Sequence, residues 1–292
     1  MIVHLVDGTY ELFRHHFGVP SHLNREGREV AATRGVVGSV LGMLEDGATH
    51  VGVATDHVIE SFRNDLYEGY KTGEGLEPVL AGQFQLLEDC LEALGVKVFA
   101  MIEYEADDAL GAAAHVAAAD PRVDEVLICT PDKDLAQCVV DGRITQYDRR
   151  KRVRIDRAAV IEKFGVPPES IPDYLGLVGD TADGFPGLPG WGAKSAATVL
   201  AQYGHIENIP AAPGQWEVTV RGSAKLAATL QAQLEDALLF RRIATIALDA
   251  PTIGNVDELE WKGPADRLDE FMAWIDAPGL ARRAHARAER QS

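Results

Sequence analysis

VKVFAMIEYEADDALGAAAHVAAA, residues 96–119, passes from a short apolar segment through an acidic turn into an Ala-rich stretch. Short β-branched runs bounded by polar turns are typical of buried strands in parallel sheets, and Ala has the highest helix propensity. The stretch therefore predicts a strand followed by a helix whose first turn carries Glu105, Asp107 and Asp108. Such a unit indicates an α/β fold with a central, mostly parallel sheet flanked by helices.

Acidic residues also follow three other apolar runs. IVHLV precedes Asp7, VGVAT precedes Asp56, and EVLICT precedes Asp132. Ligands of open α/β sheets bind beyond the carboxyl ends of the strands, so we expect these groups to project from one edge of the sheet. With three later acids the set has nine members: Asp7, Asp56, Glu105, Asp107, Asp108, Asp132, Asp134, Asp180 and Asp183.

This clustering predicts a metal site. Closely packed carboxylates repel one another and raise each other's pKa unless cations neutralise them. Oxygen ligands favour Mg²⁺ or Mn²⁺, and two such ions about 4 Å apart suit in-line phosphodiester hydrolysis. The alternative for each acid alone is a turn or a helix cap. Glu105 and Asp108 share a helix face at i and i+3, whereas Asp107 lies round the side.

Charge and cysteine content bear on partners and location. The net charge of −17 argues, by itself, against a nucleic-acid partner, because such binding draws on a basic face. The amino terminus MIVHLVDG lacks a basic region, and its apolar run is too short for a signal peptide or a membrane span. The three cysteines form no CxxC pair, which favours reduced thiols. We therefore expect a cytoplasmic protein with no membrane contact.

The chain predicts an α/β core over residues 1–175, a helical region over 176–250 and a carboxyl-terminal segment over 251–292. Residues 143–155, RITQYDRRKRVRI, read as a β-hairpin with a basic tip, either solvated or in contact with phosphate. Residues 187–204, GLPGWGAKSAATVLAQYG, predict a Gly-rich turn and a helix from near Lys194 to Gly204. That element is either a phosphate-binding helix start or a plain packing unit.

Five segments together resemble the bacterial and phage 5′ nuclease family, which includes the 5′-3′ exonuclease domain of DNA polymerase I and the flap endonucleases. They are LVDGTYELFR, SFRNDLYEGYKTG, YEADDALG, TPDKDL and LVGDTADGFPGLPGWGAKSAATVL, and their order and spacing match the family from about residue 3 to 204. The resemblance implies a PIN-like 5′ nuclease fold with a helical arch at about residues 64–95 and a helix-two-turns-helix region.

The resemblance also implies roles for individual residues. The first metal site would be built by Asp7, Asp56, Glu105, Asp107 and Asp108, and the second by Asp132, Asp134, Asp180 and Asp183. Arg63 and Lys71 would orient the scissile phosphate at the base of the arch. In the helix-two-turns-helix region a K⁺ ion is expected, and the residues that would approach duplex phosphates are Gly190, Gly192, Lys194 and Ser195.

Two departures from the family pattern bear on substrate choice. Residues 72–96 contain no Lys or Arg but five acids, where the family's arch is usually basic, which predicts weak capture of flaps. Gly184 stands where the family often has Asn. The chain ends at Ser292, so the resemblance implies a free-standing nuclease, and we expect a monomer.

The leading hypothesis is a divalent-metal-dependent, structure-specific 5′ nuclease that acts on DNA flaps, nicks or RNA-primed duplexes in replication and repair. It would leave a 5′ phosphate and a 3′ hydroxyl. One alternative is a catalytically weak DNA-junction-binding protein. The other is a different acidic-cluster hydrolase, such as a PIN-type ribonuclease.

Overall fold

The computed structural model describes residues 1–291. Contacts within the chain define two compact units, each built from separate stretches of sequence. The first unit comprises Met1–Ile59, Gly73–Thr130 and Ala247–Ser292, and the second comprises Glu60–Thr72 and Pro131–Ile246. The predicted division at about residues 175 and 250 stays a prediction.

The first unit is an α/β layer structure. Its strands are β1 (Ile2–Asp7), β2 (His50–Asp56), β3 (Lys97–Met101) and β4 (Glu125–Cys129). They lie in the order β3-β2-β1-β4 and pair in parallel throughout. Its helices are α1 (Gly8–Gly18), α2 (Ala31–Glu45), α4 (Pro78–Ala81), α5 (Phe84–Ala93), α6 (Ala106–Ala119), α12 (Leu268–Trp274) and α13 (Pro278–Glu289), with a 3₁₀ turn at Val256–Leu259.

The register brings the carboxyl ends of β1 and β2 to one edge. Val6 of β1 is paired with Val53 of β2, and Asp7 and Asp56 are the last residues of these strands. A Cβ atom on Gly8 would lie 2.8 Å from the Ala54 carbonyl oxygen, so the turn from β1 into α1 needs a glycine. The four predicted strands and the α/β class are confirmed.

The second unit is mainly helical and carries one hairpin. Its hairpin strands β5 (Ile144–Asp148) and β6 (Val153–Ile155) are antiparallel. Its helices are α3 (Phe62–Leu66), α7 (Arg157–Phe164), α8 (Ile171–Val178), α9 (Ala193–Tyr203), α10 (Ser223–Ala232) and α11 (Leu234–Ala244). Four 3₁₀ turns join them: Asp134–Cys138, Pro168–Ser170, Ile206–Asn208 and Pro213–Gln215. Both the predicted hairpin and the predicted helix ending at Gly204 are confirmed.

The core of the second unit is closed by helix α8 packed against α11. A Cβ atom on Gly176 of α8 would lie 2.9 Å from the backbone nitrogen of Arg241, so the two helices approach closely because no side chain intervenes. Phe185, just beyond α8, stacks on Phe240 of α11 with ring centroids 5.8 Å apart. This packing fixes the loop after α8, which carries Asp180 and Asp183.

The predicted arch, residues 64–95, includes a helix that belongs to the core of the first unit. Leu87 and Leu91 of α5 are fully buried. Glu88 of the same helix is also buried, where it accepts hydrogen bonds from Thr55 Oγ1 and pairs with His57 Nδ1, each at 2.7 Å. Glu88 is one of the five acids of residues 72–96, and it does not repel a flap from an exposed position because its carboxylate is turned into the protein.

The cysteines are free thiols, as expected, and burial raises the pKa of Cys90 to about 12. Among residues 1–291 no helix is long and apolar enough to cross a membrane.

Candidate functional site

Three of the nine predicted acids come together in the second unit. Asp134, Asp180 and Asp183 each offer a carboxylate oxygen, and these oxygens lie within 4.8 Å of one another. Asp134 begins the 3₁₀ turn Asp134–Cys138, whereas the other two lie in the loop after α8. Two segments separated by more than 40 residues of sequence thus form one carboxylate cluster, which we call the aspartate cluster.

The loop after α8 is folded tightly around Asp180. The backbone of Asp180 exchanges two hydrogen bonds with that of Phe185, and its Oδ1 accepts one from the Ala182 backbone nitrogen at 2.9 Å. Gly179 has φ +85°, and a Cβ there would lie 2.4 Å from the Pro186 carbonyl carbon. Because only glycine fits, the turn holds Asp180 and Asp183 in place.

Asp134 occupies the least favourable electrostatic position in the aspartate cluster. Its side chain is buried, and Oδ1 has no hydrogen-bond partner among the described residues. Burial raises the pKa of Asp134 well above its usual value, and the carboxylates of Asp132, Asp183 and Asp180 raise it further, against the opposing effect of Lys133. A carboxylate in this position needs a cation.

Lys133 supplies part of that positive charge, a role that the sequence did not reveal. Its Nζ forms an ion pair with Asp180 Oδ2 and lies 3.8 Å from Asp134 Oδ1. Burial lowers the pKa of Lys133, but attraction by Asp134 and the contact with Asp180 outweigh this, so the pKa lies above its usual value. The ammonium group thus lies against the carboxylate oxygens that a metal ion would use.

The cluster fits a hard divalent cation. All its donors are carboxylate oxygens, the set that Mg²⁺ and Mn²⁺ prefer. Oδ1 of Asp134 is buried and receives no hydrogen bond among the described residues, with the Lys133 ammonium 3.8 Å away, so this oxygen can still serve as a metal ligand. The ammonium groups of Lys133 and Lys71 do not balance the three carboxylates of the cluster together with that of Asp132, so a metal would complete the site.

Asp132 lies outside this group of three. It is exposed, and its Oδ1 accepts a hydrogen bond from the Asp134 backbone nitrogen at 2.9 Å. Its carbonyl oxygen accepts a hydrogen bond from Gln146 Nε2 of β5. Asp132 therefore shapes the turn that presents Asp134, and its influence on the pKa of Asp134 shows that its charge acts on the same site.

Lys71 is brought to the aspartate cluster. Its Nζ lies 2.9 Å from Asp183 Oδ1, and its backbone nitrogen donates to the Asp183 carbonyl oxygen at 2.9 Å. A Cβ on Gly184 would lie 2.3 Å from the Gly69 carbonyl oxygen, so the glycine at this departure from the family pattern permits the close approach of the two loops. The predicted basic residue and a predicted metal ligand are neighbours.

Arg63 is buried between α3 and the end of α11. It is 2% exposed, which is unusual for an arginine. Its Nε donates to the Ile243 carbonyl oxygen at 2.7 Å, an Nη donates to that of Thr245 at 3.0 Å, and the guanidinium lies over the Phe62 ring. These contacts tie α3 to the end of α11. They give Arg63 a structural role in the second unit, and its phosphate contact stays a prediction.

The first unit holds the other five acids. Asp7 is buried and caps α1: its Oδ1 accepts from the Tyr10 backbone nitrogen at 2.7 Å, and its Oδ2 accepts from Thr130 Oγ1 at 2.9 Å. Asp56 Oδ1 accepts from the Ala106 backbone nitrogen at 2.8 Å, which connects the end of β2 to the start of α6. Both side chains thus lie at the predicted edge of the sheet.

The three acids at the start of α6 differ in their surroundings. Glu105 and Asp108 form a capping box, and both are buried. Asp108 Oδ2 accepts from the Glu105 backbone nitrogen at 3.0 Å and Oδ1 from that of Ala247 at 2.8 Å. Asp107 is partly exposed. Of the three acids, Asp108 therefore fits best the alternative role of a helix-capping residue, and Asp107 is the most accessible to solvent.

The predicted DNA-contacting residues line a groove of about 640 Å³ in the second unit. Gly190 has φ +86°. Ser195 Oγ bonds with the backbone of Gly192, the N-cap of α9, and Lys194 is exposed. The sequence missed Arg221, which lines the same groove. The signal was present, since GSAKLAATL at 222–230 repeats the pattern of GAKSAATVL at 192–200.

The α/β unit carries acids at its strand ends and the helical unit carries the aspartate cluster, which is the arrangement expected for the class of 5′ nucleases. Family models agree: the 5′-3′ exonuclease N-terminal resolvase-like domain matches residues 2–165, and the 5′-3′ exonuclease C-terminal SAM fold matches residues 166–267. The chain belongs to the 5′-3′ exonuclease family, which confirms the resemblance.

Relatives include DNA polymerase I of Bacillus caldotenax, 34% identical over 264 residues, and DNA polymerase I of Pseudomonas aeruginosa, 33% identical over 290 residues. These matches cover 89% and 93% of this chain but 29% and 31% of the relatives. The chain thus spans about three-tenths of the length of these polymerases.

Solved structures share the fold at lower identity. The bacteriophage T5 flap endonuclease, in a complex with DNA and metal ions, has a TM-score of 0.64 and 19% identity, with 99% of this chain and 98% of that chain covered. Flap endonuclease-1 from Methanococcus jannaschii has a TM-score of 0.60 and 14% identity, with 100% and 93% covered. Both likenesses establish the 5′ nuclease fold.

Proposed function

We propose that the protein is a divalent-metal-dependent, structure-specific 5′ nuclease that hydrolyses phosphodiesters in DNA flaps, nicks and RNA-primed duplexes. The observation that carries this proposal is the aspartate cluster, with the unpartnered oxygen of Asp134 at its centre. A protein used only to bind junctions gains nothing from burying such a charge, which costs stability. Membership of the 5′-3′ exonuclease family supports the same reaction.

The ion-binding roles follow from the two units. Asp134, Asp180 and Asp183 would hold one ion, with Asp132 adding charge beside them. Asp7, Asp56, Glu105 and Asp107 would serve a second ion in the first unit, and Asp108, engaged by two backbone amides, would position the start of α6. When bound, divalent ions supply Lewis-acid stabilisation of phosphate charge and lower the pKa of water.

The chain's own residues orient the substrate. Lys71 is held at Asp183 by a side-chain ion pair and a backbone hydrogen bond, and its side chain is about one-third exposed. When a substrate phosphate replaces solvent there, the Lys71 ammonium can donate a hydrogen bond to it. This bond stabilises the negative charge that develops on the phosphoryl oxygens. Lys133 balances Asp180 from within the cluster. No side chain needs to act as a covalent nucleophile.

Duplex on one side of the cut would lie in the groove of Gly190, Gly192, Lys194, Ser195 and Arg221. Backbone nitrogens at a helix start and two exposed cations suit phosphate oxygens and read no base sequence. Solved structures of the T5 enzyme contain metal ions and DNA, which supports both components here.

The test is cleavage of a labelled 5′-flap duplex with Mg²⁺ or Mn²⁺, with Asp134→Asn as control. We expect metal-dependent products with 5′ phosphates from the wild type and none from the variant. Binding without cleavage across both metals would favour the junction-binding alternative, and preference for unstructured RNA would favour a ribonuclease. The choice between Mg²⁺ and Mn²⁺, the K⁺ ion in the 187–192 loop, the free-standing monomer and the cytoplasmic location stay predictions.

A further inference from the structure

The strongest basic patch of this acidic protein is the tip of the β5–β6 hairpin. Five of the six residues 149–154 are Arg or Lys, and Arg150, Lys151, Arg152 and Arg154 are exposed. The proposed mechanism makes no use of them. The second unit carries 16 Lys and Arg against 17 Asp and Glu, whereas the first carries 12 against 28. The patch thus belongs to the unit that is almost neutral overall.

The hairpin holds its tip in one shape. Tyr147 pairs with Arg154, and Asp148 pairs with Val153. Asp148 is buried and accepts a hydrogen bond from the Lys151 backbone nitrogen at 3.0 Å, while Lys151 Nζ lies 3.5 Å from the same carboxylate. Two strands and this bond therefore present the cations on a fixed turn.

Arg152 stands at a position that favours glycine. Its φ is +56°, in the left-handed region that L-residues other than Asn and Asp seldom adopt. A turn selected only to reverse the chain would gain from Gly at this point. An arginine at this strained position points to a use for its charge.

The hairpin is also tied to the aspartate cluster. Gln146 Nε2 of β5 donates to the carbonyl oxygen of Asp132, whose side chain accepts from the Asp134 backbone nitrogen. Three residues separate Gln146 from Arg150, so their Cα atoms lie no more than about 13 Å apart at roughly 3.3 Å per residue. One turn of B-DNA is about 34 Å long, so Arg150 lies within half a helical turn of the residue that contacts Asp132.

We propose that the hairpin tip, through Arg150, Lys151 and Arg152, binds the phosphate backbone of double-stranded DNA beside the cleavage site. The inference rests on the proposed function, because it assumes that the aspartate cluster acts on DNA. Duplex is favoured over single strands because residues 149–154 include no aromatic side chain on which a base could stack. This contact supplies attraction that the net charge of −17 opposes.

The experiment measures binding of a labelled nicked duplex by fluorescence anisotropy in EDTA, where no cleavage occurs, from about 50 to 200 mM KCl. The hairpin variant is Arg150→Gln with Lys151→Gln and Arg152→Gln. Its matched control removes three exposed cations of the first unit, Arg25→Gln with Lys262→Gln and Arg282→Gln. Each lost phosphate contact lowers the slope of log K against log[salt] by about 1.

For the hairpin variant we expect a slope reduced by about 3 and affinity at low salt weakened about tenfold or more, with the control close to wild type. Arg152→Gly checks folding separately. Since glycine adopts φ +56° freely, this variant should keep or raise the Tm while the slope falls by about 1.

An unchanged slope in the hairpin variant, or an equal loss in the control, would overturn the hairpin contact. So would a loss confined to a single-stranded probe, because the proposed partner is duplex. Wild-type protein that binds no duplex and cleaves no flap with either metal would instead overturn the proposed function, so the two failures are distinguishable.

Discussion

Asp134 combines burial, an unpartnered oxygen and three neighbouring carboxylates. An aspartate whose pKa is raised on folding binds its proton more tightly in the native state. Stability is therefore lost as the pH rises from the ordinary Asp pKa towards the raised value, and the loss is complete above it. At neutral pH without metal, Asp134 should thus destabilise the fold.

Asp134→Asn removes this charge with little change in shape. In EDTA at neutral pH we expect the variant to be more stable than wild type by about 1–3 kcal/mol, with the difference shrinking as the pH falls below the raised pKa. Urea unfolding at several pH values measures it. Equal stability of the two proteins across that range would show that the cluster carries no electrostatic strain.

Lys71 is the residue whose loss should affect catalysis and leave the fold intact. Its ion pair with Asp183 is partly exposed, so Lys71→Ala should cost no more than about 1 kcal/mol of stability. Loss of a donor to developing charge typically lowers kcat by about 10²–10³. Single-turnover cleavage and thermal unfolding measure both. Lys71→Arg is the control, and a variant with full activity would remove Lys71 from the site.

Arg63 should behave in the opposite way. Arg63→Met leaves the carbonyl oxygens of Ile243 and Thr245 without their buried donors and removes the contact with Phe62. We expect a loss of about 2–4 kcal/mol in unfolding free energy and near-normal kcat in the folded fraction. A stable variant with a large fall in kcat would restore the predicted phosphate contact.

For single residues, the sequence predicted which residue types matter but not the surroundings of their side chains. Arg63 and Lys71 stand eight residues apart in one motif, yet one is buried against α11 and the other pairs with Asp183. Likewise Asp134 and Asp180 approach each other only after α8 and its loop have folded back. Side-chain environment depends on contacts distant in sequence, which spacing does not encode. Resemblance to the family supplied the grouping.

Elements were more predictable, because periodicity and turn residues are local signals. The strands ahead of the acids, the 143–155 hairpin and the helix ending at Gly204 lie where expected. The place of α5 in the core of the first unit was not foreseen. Its acids suggested exposure, but Glu88 is satisfied internally by Thr55 and His57. A charged residue type therefore does not by itself mark a solvent-facing position.

The close contact of α8 with α11 makes a prediction about the element that carries the aspartate cluster. Gly176→Ala would place a methyl group 2.9 Å from the Arg241 nitrogen and 3.0 Å from the Ala237 oxygen. Since both are backbone atoms, the helices must separate, at a cost of about 1–3 kcal/mol. Gly42→Ala in α2 is the control, because nothing lies within 4 Å and helix propensity favours Ala by about 1 kcal/mol.

In urea unfolding, Gly176→Ala should lower the free energy of unfolding and Gly42→Ala should raise it. The Gly176 variant should also bind metal more weakly, because α8 leads directly into the loop of Asp180 and Asp183. A stable Gly176→Ala protein would mean that α8 and α11 are not tightly packed in solution.

Across the whole chain, charge is distributed unevenly. The first unit has a net charge of −16 and the second of −1. The overall value of −17 argued against a nucleic-acid partner, but it averages over the hairpin of the second unit, which carries five Lys and Arg, and the groove, which carries two more. Net charge governs long-range repulsion, while binding depends on local cations.

Repulsion within so acidic a chain predicts two kinds of response to salt. Added KCl should raise the Tm by screening, since the Debye length falls to about 10 Å at 0.1 M. MgCl₂ or MnCl₂ at matched ionic strength should raise it further, because an ion that binds only the native state stabilises it by about 2.7 kcal/mol at 100 times its Kd. In Asp134→Asn the rise in Tm with KCl should remain, while the additional rise with MgCl₂ or MnCl₂ should become much smaller. Calorimetry in the two kinds of salt measures both. An equal excess in both proteins would mean that the divalent ions act elsewhere on the acidic surface and that the aspartate cluster is not the metal site.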